Sequence, residues 1–94
     1  MKKYKEWKIV GGGVLTLYRK KYGDDDYVVG WSLCSPNDVY DEARGRLIAR
    51  GRAKCGRTVM VFNRNNALWS VLIFNVMACL DKSGKLPSWV GRWS

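Results

Sequence analysis

The sequence predicts an α+β domain: a small antiparallel sheet of about four strands, in the order β-β-β-α-β-α, with two helices packed on one face. Three observations carry that prediction. The first third of the chain alternates bulky and small or polar residues with period two, broken by glycine and aspartate turns. Ser35-Pro36-Asn37-Asp38 then marks the start of a helix. A run from Ala67 to Leu80 is apolar at almost every position, which is the pattern of a buried helix.

Taken in order, Trp7 to Val10 reads as a short first strand, ended by Gly11-Gly12-Gly13. Val14 to Lys20 is a second, with Leu15 and Leu17 on one face and Thr16 and Tyr18 on the other. Gly23 to Asp26 is a turn. Tyr27 to Cys34 is a third strand, bulky at Tyr27, Val29, Trp31 and Leu33 and small at Gly30, Ser32 and Cys34. A face of small residues admits another element closely, and a helix is the expected one. That helix is expected from about Pro36 to about Arg52. Val39, Ala43 and Leu47 form its apolar stripe, and Asp41–Arg44 and Glu42–Arg46 have ion-pair spacing. Gly45 inside it implies a close neighbour, and Gly51 marks its end. Arg57 to Phe62 reads as a fourth strand. Asn63, Asn65 or Asn66 would cap a second helix of about Asn65 to Leu80. A thin sheet covers one side of that helix, so its other side is expected to meet a second copy of the chain. The tail, 86–94, holds Trp89 and Trp93 and reads as irregular.

Ninety-four residues make one domain, 1–94. A chain this short buries only about 60–65% of its unfolded surface, so its stability margin is thin. Yet 47% of it is hydrophobic, with five tryptophans, which is inconsistent with disorder. Seventeen lysines and arginines against eight acids give a net charge of +9 and favour a polyanionic partner. Cys34, Cys55 and Cys79 show no CxxC spacing and suit buried thiols in a reducing compartment. Met1-Lys2-Lys3-Tyr4 precedes no apolar signal stretch, and the longest apolar run is shorter than the roughly 20 residues of a membrane span. A cytoplasmic protein without a membrane partner is expected.

The chain has no histidine, which removes the commonest general base and metal ligand. Asp24 to Asp26 lacks the wider spacing of a calcium loop, and Gly11 to Gly13 lacks the Lys-Ser/Thr of a phosphate loop. No catalysis, metal or cofactor is expected. The basic side is richer. Arg44, Arg46, Arg50, Arg52, Lys54 and Arg57 crowd into one stretch, with Asn63, Arg64 and Asn65 following. Guanidinium forks match phosphate oxygens and stack on bases. Tyr18, Tyr22, Tyr40 and Trp89 are candidate stacking residues, whereas Trp31 and Trp69 suit the core.

From Gly30 to Ala53 the chain carries a strand ending G-x-S-x-C, a P-x-D turn, an aromatic, and a helix with G-x-x-I-A and R-A. Gly30, Ser32, Cys34, Pro36, Asp38, Tyr40, Gly45, Ile48, Ala49, Arg52 and Ala53 carry the pattern. It resembles small bacteriophage accessory proteins over about a quarter of the chain, among them the oligomeric anti-Thoeris sponges that sequester cyclic nucleotide signals. That resemblance implies a phage anti-defence protein acting in the cytoplasm of an infected bacterium. It also implies that the helix arginines and the Asn63 to Asn66 turn contact an anionic nucleotide. A nucleic-acid binder and an inhibitor docked on a host defence protein are the alternatives.

Overall fold

The computed structural model describes residues 3–9, 12–23, 26–55, 60–63, 68–84 and 86–87. The elements are β1 (Tyr4–Lys8), β2 (Val14–Tyr22), β3 (Asp26–Cys34), α1 (Glu42–Cys55), β4 (Met60–Asn63) and α2 (Trp69–Lys82). The four strands form one antiparallel sheet in chain order. The α+β class and the element order are those the sequence predicts.

Register assigns each side chain to a face. Trp7 pairs with Leu15, Leu15 with Leu33 and Leu17 with Trp31, so these share one side of the sheet. Glu6 with Thr16, Thr16 with Ser32, and Tyr18 with Gly30 share the other. The first face carries the main core: Leu15, Leu17 and Val29 from the sheet against Leu72, Val76, Met77 and Leu80 of α2, with Trp7, Trp31 and Trp69 around them. The second face carries α1, whose Ala49 and Ala53 lie on Tyr18 and Gly30. The helices therefore lie on opposite faces of the sheet, not on one. Neither face alone accounts for both: one is bulky and suits α2, the other is small and suits α1.

The β3 alternation anticipates that close approach. A Cβ added at Gly30 would stand 1.9 Å from the Ala49 carbonyl oxygen and 2.7 Å from the Ala53 nitrogen. One at Gly45 would stand 2.9 Å from Thr16 Oγ1. The buried stripe of α1 is thus Gly45, Ala49 and Ala53. The predicted stripe of Val39, Ala43 and Leu47 points outward, with Val39 95% and Leu47 70% exposed.

The helix boundaries shift for local reasons. Ser35 Oγ accepts the Asn37 N–H at 3.2 Å and the Ser35 carbonyl accepts the Asp38 N–H at 3.1 Å, which closes a turn instead of opening a helix. The cap is Asp41: its Oδ1 accepts the Arg44 N–H at 3.2 Å and its carbonyl the Gly45 N–H at 2.9 Å. Gly51 lies inside α1, which runs on to Cys55. The second helix starts at Trp69 behind Leu68, an N-cap without a side-chain bond, so the asparagines do not cap it within the described residues. It ends at Lys82, ahead of Gly84 at φ 72°. The first strand is displaced to Tyr4–Lys8, because the Ile9 N–H already bonds the Gly13 carbonyl at 2.8 Å to close the hairpin. The fourth is shorter than predicted, Met60–Asn63. Arg57, Arg64, Asn65 and Trp89, with the tail 88–94, lie outside the described residues. Tyr22 and Asn63 are placed by backbone alone. Among the described residues no helix is long and apolar enough to cross a membrane.

Candidate polyanion-binding surface

The structure sorts the α1 cations into two groups, those bound into the fold and those left outside it. Arg46 belongs to the first. Its Nε donates to Glu6 Oε1 at 2.9 Å, its Nη2 lies 2.7 Å from Glu42 Oε1, and its guanidinium stands 5.1 Å from the Tyr4 ring centroid. The bond to Glu6 holds the Arg46 pKa above its ordinary value. Two carboxylates on one guanidinium leave it no charge to offer an anion. Arg52 is likewise committed. Its Nη1 donates to the Trp31 carbonyl at 3.0 Å, and its guanidinium stacks 4.2 Å from the Trp31 ring.

Arg50, Lys54 and Arg44 form the second group. All three are exposed, and none of their side chains forms a salt bridge among the described residues. Arg46, Arg50 and Lys54 follow one another at helical spacing of four, so they share one side of α1. Beneath that side lie Tyr4 and Tyr18, with ring centroids 5.0 Å apart. Lys20 follows Tyr18 by two on the same sheet face and is exposed, as is Lys21 beyond it. The result is an open basic ridge, neutralised at its Arg46 end and uncompensated from Arg50 onward. Arg19, which the sequence groups with these lysines, is on the other face, buried over the Trp69 ring at 3.9 Å. Burial lowers its pKa.

Two of the predicted stacking residues, Tyr18 and Tyr40, are engaged in the fold. Tyr18 is only 4% exposed. Tyr40 is half-buried, and its hydroxyl is buried beside Thr16 with no partner at hydrogen-bonding geometry among the described residues. Burial raises both phenol pKa values; Tyr4 adds to the rise at Tyr18, and proximity to Thr16 opposes it at Tyr40. These phenols hold their protons in the folded chain at a pH where the unfolded chain has lost them. Their contribution is complete below the ordinary tyrosine pKa near 10 and is lost as pH rises through the folded values. Stability is therefore expected to fall with rising alkalinity. Urea unfolding at stepped pH should show the slope, and the Tyr18→Phe/Tyr40→Phe variant should flatten it.

No family model matches the chain, and no curated protein or solved structure is significantly similar to it. The site stands on its own geometry.

A concavity of about 560 Å³ lies between the end of β3, the 35–41 turn and the start of α1. Asp38, Tyr40, Asp41, Arg44 and Ile48 line it with Ser32, Leu33 and Cys34. Two carboxylates face one guanidinium there, so this cleft is no home for an anion. Sequence reasoning missed the cleft, because it arises where the 35–41 turn carries the chain from β3 to α1.

Proposed function

We propose that the protein binds nucleic acid through the exposed ridge of α1 and catalyses no reaction. The observation that carries this is the row of Arg50, Lys54 and Lys20, cationic and without a carboxylate partner among the described residues. An open row of charges suits the repeating phosphates of a strand, where each contact releases counterions. A small cyclic nucleotide needs an enclosed site, and the cleft beside α1 is lined by two carboxylates against one guanidinium. Two of the arginines expected to hold such a ligand, Arg46 and Arg52, serve the fold instead. The buried ring of Tyr18 further favours backbone contact over base stacking. In an infected bacterium, as the phage resemblance implies, such a binder would occupy nucleic acid on which a defence enzyme acts.

The test is fluorescence anisotropy of a labelled duplex across a salt series. The logarithm of affinity is expected to fall linearly with that of salt, by about 0.9 per phosphate contact on duplex. The Arg50→Ala and Lys54→Ala variants should each remove about one contact from the slope. Arg46→Ala should leave the slope unchanged, because its charge is already cancelled. A salt-independent affinity overturns the proposal. A thermal shift with cyclic nucleotides and none with duplex would instead favour a signal sponge.

A further inference from the structure

The outward side of α1 is cationic at its flanks and apolar at its centre. Leu47 is 70% exposed there. An α-helix turns by about 100° per residue, so Arg50 lies about 60° to one side of Leu47 and Arg44 about 60° to the other. Both arginines are exposed, as is Lys54, two turns beyond Leu47 and nearly in line with it. The neighbours one turn away along the same line, Ala43 and Gly51, are short, and nothing lies within 4 Å of a Cβ added at Gly51. The isobutyl group of Leu47 therefore stands clear of its surroundings. Gly45, Ala49 and Ala53 hold the opposite side of the helix against the sheet, and among the described residues no other helix shares that sheet face. An exposed leucine by itself is ordinary. A leucine set between outward guanidinium groups, on a helix free to enter a groove, has a chemical counterpart.

We infer that α1 seats in the major groove of B-form DNA, with Leu47 against the base edges and Arg44 and Arg50 on the phosphates of the two walls. The inference rests on the nucleic-acid reading above and narrows it to one form of duplex. The dimensions agree, since a helix with its side chains is about 10–12 Å across and the groove is about 12 Å wide. Double-stranded RNA does not fit, because its major groove is too deep and narrow for side chains to read. A single strand would call for aromatic platforms, and the sequence of α1 contains no aromatic residue. Leu47 offers neither donor nor acceptor, so the base feature it recognises is the methyl group of thymine. Affinity then comes from the phosphates, and the leucine adds a preference for thymine. Asp41, exposed at the start of α1, repels phosphate, so the half from Leu47 to Lys54 lies deepest. An anionic lipid surface would also attract these cations, but an interfacial helix buries a broad apolar face, and Leu47 with Ala43 makes a narrow one.

Fluorescence anisotropy with three matched probes tests it: an A·T-rich DNA duplex, the same duplex with uracil in place of thymine, and the RNA duplex of the same sequence. Uracil removes the methyl groups and leaves every phosphate. The native chain should bind the thymine duplex about fourfold more tightly than the uracil duplex for each methyl covered, and the RNA duplex more weakly than either. Leu47→Ala should bind the two DNA duplexes equally and keep the native salt slope. Leu47 is exposed, so the variant should fold, and far-UV circular dichroism checks this. Equal affinity of the native chain for the two DNA duplexes, or for RNA and DNA, with the salt slope intact, overturns the groove inference and leaves the nucleic-acid reading standing. A thymine preference that survives Leu47→Ala overturns it too. Failure to bind any duplex, or a salt-independent affinity, removes the reading and the inference together. Co-sedimentation with phosphatidylserine vesicles that needs Leu47, without any thymine effect on DNA, assigns the leucine to a lipid surface and also overturns the inference.

Discussion

Gly30→Ala is expected to destabilise the domain by about 3 kcal/mol or more and to lower Tm by roughly 12–24 °C. The added Cβ would sit 1.9 Å from the Ala49 carbonyl oxygen and 2.7 Å from the Ala53 nitrogen. Both are backbone atoms inside α1, so no side chain can rotate away, and the helix must lift off the sheet. Lifting it opens the contacts of Ala49 and Ala53 with Tyr18 and of Gly45 with Thr16 together. The usual gain of Gly→Ala, about 0.4–1 kcal/mol from a stiffer unfolded chain, has the opposite sign and is too small to compensate. A domain of this size has roughly 5–14 kcal/mol in total, so the loss is a large fraction of its stability. Gly51→Ala is the control. Nothing lies within 4 Å of its added Cβ, and helix propensity predicts a gain of up to about 1 kcal/mol. Urea unfolding of both variants reads the difference. A Gly30→Ala protein as stable as its parent would mean that α1 does not sit on β3 as described.

The same contact shows what the sequence exposes and what it hides. The small face of β3 is visible as a period-two pattern, and it correctly announces a helix at close range. Which stripe of the helix makes that contact is hidden, because Gly45, Ala49 and Ala53 have little bulk. Reading apolar periodicity by size selects Val39, Ala43 and Leu47, of which Val39 precedes α1 and Ala43 and Leu47 prove to be on its outer face. The buried side is chosen by how near the backbones must come, not by which residues are most hydrophobic. The opposite placement of the helices follows from register, since each face is defined only once Trp7, Leu15 and Leu33 are known to align.

The arginines divide similarly. Glu42–Arg46 spacing is legible along the helix, and the pair forms. The second carboxylate on Arg46 comes from Glu6, forty residues away in sequence, and the partner of Arg52 is a main-chain carbonyl that carries no sequence signature. Both contacts depend on tertiary proximity, so composition alone counts these two cations as available. Arg50 and Lys54 survive because, among the described residues, no salt bridge engages them. Among the described residues Arg46 and Arg52 are therefore committed, whereas Arg44, Arg50 and Lys54 form no salt bridge.

The second large effect lies on the other face of the sheet. Leu72→Ala is expected to cost about 2–5 kcal/mol. Leu72 is 0% exposed and packs with Leu15, Leu17, Val29 and Val76 in the main core. Removing its side-chain carbons leaves a void between α2 and the sheet that rigid neighbours fill only in part. Leu47→Ser is the matched comparison: leucine again, in a helix again, but 70% exposed, with an expected change within about 0.5 kcal/mol. Thermal unfolding of the pair separates the two placements. With α1 seated on Gly45, Ala49 and Ala53, only Leu72→Ala lowers Tm substantially. If the bulky stripe of α1 faced the sheet, Leu47→Ser would bury a hydroxyl in place of an isobutyl group and cost several kcal/mol as well. A large loss in the Leu47 variant would reverse α1 on its axis and turn Arg50 and Lys54 away from their present exposure, removing the basic ridge along with the packing.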